Sequence, residues 1–337
     1  MLTSIPILVT GAAGFIGYHV CERLLALGYQ VVGVDSFTPY YDVALKEARF
    51  ARLTPRNSFV GERLDLADPQ ATRDLFGRHR FERVIHLAAQ PGVRFVDPQP
   101  YAASNLMGFM TLLEACRQAQ IRHLVYASSS SVYGANRKLP FSEHDGTEHP
   151  ISLYAATKKA NEMMAHSYAA LFGLPCTGLR FFTVYGPWGR PDMAVYKFTH
   201  AMAEGRAIEV ANAGKVWRDF TYVDDIVEGI VRLVEKAPAA NPGWDAEHPD
   251  PATSAAPHRV YNIGNDRPEE VNHLIALIEA ALGRKAQRVE VALPPGDVLE
   301  TRADVTDLRR EVGFAPSTSL EDGVNRFVQW YKQYHGV

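Results

Sequence analysis

The chain has 337 residues, 47% of them hydrophobic and 22% charged, with a formal net charge of -3. That length suits one large or two closely joined domains around a substantial core, and scattered basic residues give nucleic acid or a membrane surface no electrostatic footprint. Cys21, Cys116 and Cys176 are odd in number, isolated and set in apolar stretches, which fits reduced core thiols of a cytosolic protein better than disulfides or a metal site.

From Met1 the sequence passes directly into the apolar run Ile5-Pro6-Ile7-Leu8-Val9-Thr10, with no basic region before it. No later stretch approaches the ~20 apolar residues of a membrane span. No signal peptide, anchor or span is expected, and the expected location is the cytoplasm. Short apolar runs at 7–10, 30–34, 58–62, 84–88 and 123–128 alternate with helical patterns at 18–27 and 100–119. Strands without polar alternation, separated by helices, belong to a parallel sheet covered on both faces. The expected fold class is α/β: a doubly wound, Rossmann-type parallel sheet with a smaller, discontinuous α/β substrate domain. A strand at 176–180 ends the regular alternation, and Gly186-Pro187-Trp188-Gly189-Arg190-Pro191 reads as a loop. A strand-then-helix pattern returns at 220–234, with another strand at 260–263.

The segment Gly11-Ala12-Ala13-Gly14-Phe15-Ile16-Gly17 joins the first strand to the first helix. Gly11 permits a tight turn, Gly14 lets the backbone approach a pyrophosphate, and Gly17 permits close helix packing, with the positive helix end toward the phosphates. Asp35 ends the second strand, where a carboxylate accepts from an adenosine ribose and repels a 2′-phosphate, so NAD is expected rather than NADP. Asp65, followed by Leu66, has two readings, an adenine contact or an ordinary loop aspartate. The expected domains are 1–179 with 219–236 and 258–266 for NAD, and 180–218 with 267–337 for the substrate. The Ala-, Pro- and Asp-rich stretch 237–257 reads as a surface loop.

Tyr154 and Lys158 stand four residues apart, which puts them on one helix face. The ammonium favours phenolate and lowers a tyrosine pKa that is otherwise near ~10. Alone, such a pair marks only an amphipathic helix. Beside a dinucleotide turn and the cluster Ser128-Ser129-Ser130-Ser131, it reads as a proton-transfer catalyst.

These segments, with His86-Leu87-Ala88-Ala89, Asn105, Val132-Tyr133-Gly134 and Arg218-Asp219-Phe220-Thr221-Tyr222-Val223-Asp224-Asp225, resemble the extended short-chain dehydrogenase/reductase family over nearly the whole chain. Within it they are similar to the nucleotide-sugar epimerases and dehydratases. The resemblance implies Tyr154 as general base and acid, Lys158 as the cation that tunes it and holds the nicotinamide ribose, and Ser129 as the third catalytic group. Which hydroxyl among Ser129, Ser130 and Ser131 takes that role stays open by one position. The implied NAD surface is Gly11, Ala13, Gly14, Phe15, Ile16, Gly17, Asp35, Asp65, Leu66, Leu87, Ala88, Ala89, Asn105, Ser128, Tyr154, Lys158 and Phe181, with no metal. Dehydratases of this family carry an Asp-Glu pair after the catalytic hydroxyl, and the related decarboxylases a glutamate just before Val-Tyr-Gly. Ser130 and Ser131 stand there instead, which leaves 4-epimerisation.

The run Leu179-Arg180-Phe181-Phe182-Thr183-Val184-Tyr185-Gly186-Pro187-Trp188-Gly189-Arg190-Pro191-Asp192-Met193 resembles the UDP-glucuronate 4-epimerases, as do Ala88-Ala89-Gln90-Pro91-Gly92-Val93-Arg94 and Val216-Trp217-Arg218-Asp219-Phe220. UDP-galactose 4-epimerases usually place an asparagine where Thr183 stands. A hydroxyl and an arginine suit a carboxylate better than a hydroxymethyl group. Ser130, Ser131, Thr183 and Arg190 are therefore expected around the sugar carboxylate, with Ser129 also facing the sugar. Arg218 is expected at the diphosphate and Asp297 at the uridine ribose. A loop cation is the other reading of Arg190, a turn aspartate that of Asp297, and the role of Arg302 is open. The expected function is NAD-dependent interconversion of UDP-glucuronate and UDP-galacturonate through a 4-keto sugar. Two alternatives stay: a 4-epimerase of a neutral UDP-hexose or UDP-N-acetylhexosamine, and a non-catalytic NAD or nucleotide-sugar binding protein. Family members pair through two helices per subunit, so a homodimer through a four-helix bundle is expected from the stretches at 99–119 and 153–172.

Overall fold

The computed structural model describes residues 5–93, 97–294 and 297–337. In chain order the elements are Ile7–Thr10 (β1), Phe15–Ala26 (α1), Val31–Asp35 (β2), Val43–Leu53 (α2), Phe59–Arg63 (β3), Pro69–Arg78 (α3), Arg83–His86 (β4), Gly108–Gln118 (α4), His123–Ala127 (β5), Leu153–Phe172 (α5) and Cys176–Phe181 (β6). Then come Thr183–Tyr185 (β7), Ala194–Ala203 (α6), Ile208–Ala211 (β8), Trp217–Tyr222 (β9), Val223–Val234 (α7), His258–Ile263 (β10), Pro268–Glu270 (β11), Val271–Leu282 (α8), Arg288–Val291 (β12), Thr306–Val312 (α9) and Leu320–His335 (α10).

Seven strands form one sheet in the order β10-β6-β5-β4-β1-β2-β3, and every pairing from β6 to β3 is parallel. This is the doubly wound α/β sheet that the sequence predicts. β1 and β2 are buried at every position, which explains their lack of polar alternation. On one side Leu8, Val32, Val84 and Leu124 pack with Phe109, Leu112 and Cys116 of α4 in a single apolar cluster. The strand order reverses between β1 and β4, and in such sheets ligands bind in the crevice beyond the carboxyl ends of the strands at that point.

Local signals set most helix ends. α1 starts at Phe15, three residues before its apolar pattern, because Gly14 (φ −72, ψ 170) ends the extended turn there. α2 and α3, which the apolar pattern did not single out, are capped by aspartates: Asp42 accepts from the Ala44 N–H, and Asp68 from the Gln70 and Ala71 N–H groups. The helix expected at 100–119 opens as a π-wound turn, Tyr101–Met107, before α4. Such turns are frequent at functional sites.

Contacts divide the chain into two compact units, Met1–Arg137 with Glu143–Phe181 and Val227–Asn262, and Lys138–Ser142 with Phe182–Ile226 and Ile263–Val337. The division falls between Ile226 and Val227, whereas the sequence reading kept 219–236 together with the first domain. The reason is β9, which pairs in parallel with β7 and antiparallel with β11 in a separate three-stranded sheet. β8 and β12 form a further parallel pair in the second unit. The irregular stretch 237–257 is anchored in the first unit by the buried residues Ala252, Ser254 and Ala256. Cys21, Cys116 and Cys176 are buried free thiols. Among the described residues no helix is long and apolar enough to cross a membrane.

Candidate active site

In the first unit, β1 delivers Gly11 with φ 72, a conformation that strains a side chain. A Cβ on Gly11 would stand 2.8 Å from the Ala88 nitrogen, and one on Gly17 would stand 2.0 Å from the Gly11 carbonyl oxygen. The turn closes this tightly only because hydrogen occupies both places. Ala13, Phe15 and Gly17 are buried in it, while Gly14 and Ile16 are half-buried. Asp35, at the end of β2, is fixed by accepting the Ala13 N–H on Oδ2 at 3.1 Å and the Phe37 N–H on Oδ1 at 2.8 Å. Between these groups opens a cavity of ≈ 620 Å³, bounded by Gly11, Gly14, Asp35, Asp65, Leu66, Leu87, Ala88 and Ala89. All eight are predicted cofactor residues.

Ser36, Thr38, Lys46 and Ser104 also line this cavity, and the sequence reading missed them. Lys46 is buried, donating to the Thr38 carbonyl at 2.8 Å and its hydroxyl at 3.1 Å. Behind it the buried Arg49 donates to the Ala13 carbonyl at 3.0 Å and the Tyr41 hydroxyl at 2.7 Å. The available signal was their i,i+3 spacing on α2, just after Asp35. Asn105 is fixed within the fold: its Oδ1 accepts the Gln90 N–H at 2.8 Å, and its Nδ2 donates to the Gln90 carbonyl at 3.1 Å and the Thr157 hydroxyl at 3.0 Å. Its amide thus joins the π-wound turn to the loop after β4 and to α5.

Ser152 caps α5 by accepting the Ala155 N–H at 3.1 Å, so the helix begins immediately before Tyr154. Tyr154 is half-buried, and Lys158, one turn on, is 1% exposed. Burial pulls the Lys158 ammonium down to about 8, against the opposing charge of Glu162. Burial and the Lys158 charge hold His86 neutral, with its pKa down at about 3. Ser129 caps the short turn Ser130–Tyr133, its Oγ accepting the Ser131 N–H at 3.2 Å and donating to Ser131 Oγ at 3.1 Å. Ser128 instead donates to Glu162 Oε1 at 2.6 Å. Glu162 escaped the sequence reading. It also accepts from Arg180 Nε and Nη2 at 2.9 and 3.0 Å; burial opposes its charge, but Arg180 holds its carboxyl down at about 2. Phe181, next in the chain, is buried at the end of β6.

In the second unit, Thr183 is half-buried on β7 and in register with Phe220 of β9. In the loop that follows, Trp188 takes φ 61, unusual for a bulky residue. Its ring packs against Trp330 and Tyr334 of α10, with centroids 5.2 and 5.0 Å away. Arg190 donates to both oxygens of Asp192, at 3.0 and 2.6 Å. Arg218 Nη2 donates to Asp297 Oδ1 at 2.7 Å, which brings the expected diphosphate and ribose ligands together. Arg302 donates to Asp266 Oδ1 at 3.0 Å, giving that open residue a partner within the fold. Arg94, Pro295 and Gly296 lie outside the described residues.

A turn that only glycines can close, a carboxylate fixed at the β2 end and a buried lysine one turn from a tyrosine define a class: short-chain dehydrogenase/reductase proteins that hold a dinucleotide at the switch point of the sheet. Known proteins agree. The profile of the NAD dependent epimerase/dehydratase family matches residues 7–264, and the chain belongs to that family. It is 51% identical to Protein CapI of Staphylococcus aureus, over 98% of this chain and 99% of that protein. It is 47% identical to a probable UDP-glucuronate 4-epimerase of Rhizobium meliloti (strain 1021), over 97% of this chain and 96% of that protein. The solved UDP-glucuronic acid 4-epimerase from Bacillus cereus, in complex with UDP-glucuronic acid and NAD, is similar with a TM-score of 0.87 and 34% identity, over 98% of this chain and 100% of that one.

Proposed function

We propose that this protein is an NAD-dependent 4-epimerase that interconverts UDP-glucuronate and UDP-galacturonate through a transient 4-keto sugar. The observation that carries the reading is the Bacillus cereus structure, which holds UDP-glucuronic acid and NAD together on this fold. The residues fit NAD. The Gly17 position has room only for hydrogen, the turn leaves backbone open to a pyrophosphate, and Asp35 offers a fixed carboxylate to a ribose diol. Gly11, Gly14 and Asp35 would hold the adenosine and pyrophosphate, with Tyr154 and Lys158 at the nicotinamide ribose. When bound, NAD supplies a reversible hydride acceptor for carbon 4 of the sugar.

Tyr154, as phenolate, takes the proton of the carbon 4 hydroxyl and later returns it. Lys158 favours the phenolate by its charge, and Ser129 orients the reacting oxygen. Arg218 holds the diphosphate and Asp297 the uridine ribose, while Ser130, Ser131, Thr183 and Arg190 hold the carboxylate. With the diphosphate held by Arg218, the ketone would turn about that linkage and take its proton back from Tyr154 with the other face presented, so that carbon 4 is inverted. No net redox occurs, and the cofactor stays bound between turnovers.

The proposal includes a cytoplasmic homodimer. α4 and α5 expose Met110, Met163 (61%), Leu171 (73%) and Phe172, an apolar face that a four-helix bundle between two copies would cover. The catalytic reading is tested by incubating the purified protein with UDP-glucuronate and, separately, UDP-galactose, without added NAD, and resolving the products. Conversion of UDP-glucuronate alone is expected. Comparable conversion of UDP-galactose would move the reading to a neutral-hexose epimerase, and NAD binding with no conversion of either would make the chain a binding protein.

A further inference from the structure

Lys158 is buried, the charge that acts on it is that of Glu162, and the partners of Glu162 come from several elements. On its own helix Glu162 follows one turn later, with a side chain 4% exposed, and Lys159 Nζ lies 3.4 Å from the same carboxylate. From β6, Arg180, 0% exposed, donates to Glu162 through two nitrogens. From the end of β5, Ser128 donates to it as well. From β4, His86 is neutral, and Tyr154 stands one turn before Lys158. One carboxylate therefore ties three elements together: the strand end that leads into Ser129, the strand end that leads into Phe181, and the helix that carries the tyrosine and lysine. A buried carboxylate with this many donors keeps its charge and its place.

We propose that Glu162 is a positioning residue of the epimerisation: with Arg180 it locks the Ser128-Ser129 strand end to α5, and its negative charge keeps Lys158 a cation beside Tyr154. This rests on the reading of Tyr154 and Lys158 as the proton-transfer pair. The electrostatic part has a sign. The Glu162 charge raises the Lys158 pKa, which burial lowers, so removing that charge makes Lys158 lose its proton at lower pH. Arg180 is tied to Glu162, because its Nε and Nη2 donate to that carboxylate.

The test uses the NAD-bound holoenzyme. Glu162→Gln keeps the shape and, through its amide oxygen, acceptance from Ser128 and Arg180 Nε, but it removes the charge and the acceptor for Arg180 Nη2 and Lys159; Glu162→Asp keeps the charge. Lys158 titration is followed by carbon-13 NMR of its Cε, and kcat for UDP-glucuronate is measured from about pH 6 to about pH 10, spanning lysine and tyrosine titration. In Glu162→Gln, the NMR titration and the alkaline limb of kcat are both expected to move about one unit down, with KM nearly unchanged. Glu162→Asp is expected to restore most of the shift. A folded Glu162→Gln holoenzyme whose titration and alkaline limb coincide with those of the wild type would overturn the proposal. If Glu162→Gln does not fold, the double variant Glu162→Met with Arg180→Met replaces the buried pair by apolar volume; because a cation leaves with the carboxylate, the expected shift is in the same direction but smaller, and coincidence with the wild type would again overturn the proposal. A wild type that does not epimerise would remove the functional reading, while the NMR titration would still decide whether Glu162 keeps Lys158 charged.

Discussion

Arg218 Nη2 donates to Asp297 Oδ1 at 2.7 Å, in a pair whose side chains are 16% and 25% exposed. The same guanidinium donates to the carbonyls of Trp217 and Leu299, at 2.9 and 3.3 Å. An arginine held by three acceptors needs little further ordering to meet a phosphate, and its planar fork matches phosphate geometry. A charge-assisted hydrogen bond contributes roughly 1.5–3 kcal/mol, so Arg218→Ala is expected to weaken UDP binding roughly ten- to a hundredfold and leave NAD content unchanged. Titration calorimetry with UDP checks this; an unchanged affinity would take Arg218 out of the site.

Asp35 accepts a backbone N–H on each carboxylate oxygen. In Asp35→Asn one of those oxygens becomes an amide nitrogen, which cannot accept, and a ribose diol loses a charged partner. The variant is expected to lose most of its NAD during purification and to discriminate less against NADP. Cofactor released on denaturation, separated by chromatography, is the measurement. Full retention of NAD would place the ribose elsewhere.

The dinucleotide half of the site was legible because its signals are local. Gly11, Gly14 and Gly17 sit at a fixed spacing, and Asp35 ends a strand that is apolar throughout. Glu162 was not legible. It lies on α5 among residues that read as an ordinary helix face, and its burial comes from Arg180, 18 positions away on another strand. Lys46 and Arg49 were hidden for the same reason, since a buried cation and a solvated one look alike in sequence. Asn105 shows the converse limit: its position in the motif is legible, but whether its amide faces a ligand or closes onto Gln90 and Thr157 depends on the π-wound turn that carries it. The strand at β9 was legible but its sheet was not, because a strand followed by a helix does not announce which sheet it joins.

Burial pushes His86 down to about 3, His123 to about 4 and His258 to about 3. A histidine whose folded pKa lies below its unfolded value gives stability that is complete above about 6.5 and is lost as pH falls toward the folded value. Unfolding between about pH 6 and pH 4 should therefore take up as many as three protons at these sites, each adding roughly 1.4 kcal/mol per pH unit to the slope. The urea midpoint is expected to fall steadily across that window, and His258→Gln to flatten the dependence by about one proton. Parallel curves for wild type and variant would show that His258 titrates alike in both states.

The proposed dimer makes a separate demand on Met163 and Leu171, the most exposed apolar side chains of α5. A carboxylate placed in the centre of an apolar helix bundle is buried without a partner, which is strongly unfavourable. Met163→Glu with Leu171→Glu is therefore expected to sediment as a monomer at a concentration where the wild type is a dimer, with unchanged helix content. A wild type that is itself monomeric, or a variant that stays dimeric, would exclude this face as the interface.

The 4-keto form of a glucuronate is a β-keto acid, and it loses carbon dioxide when the breaking bond aligns with the carbonyl π system. An epimerase must keep its carboxylate out of that alignment. Thr183 and Arg190 are the groups proposed to do so. Arg190 is itself steadied by two hydrogen bonds from its guanidinium to Asp192, on a loop whose Trp188 is packed against Trp330 and Tyr334. Thr183→Val or Arg190→Ala should raise the ratio of released carbon dioxide to epimerised product, about tenfold if one contact worth roughly 1.4 kcal/mol is lost. Trp188→Leu, which touches the loop and not the carboxylate, should raise it less. The order of the three distinguishes direct restraint of the carboxylate from general loosening of the loop: equal rises would assign the effect to the loop, and no rise in Thr183→Val or Arg190→Ala would mean that the carboxylate is restrained by other groups.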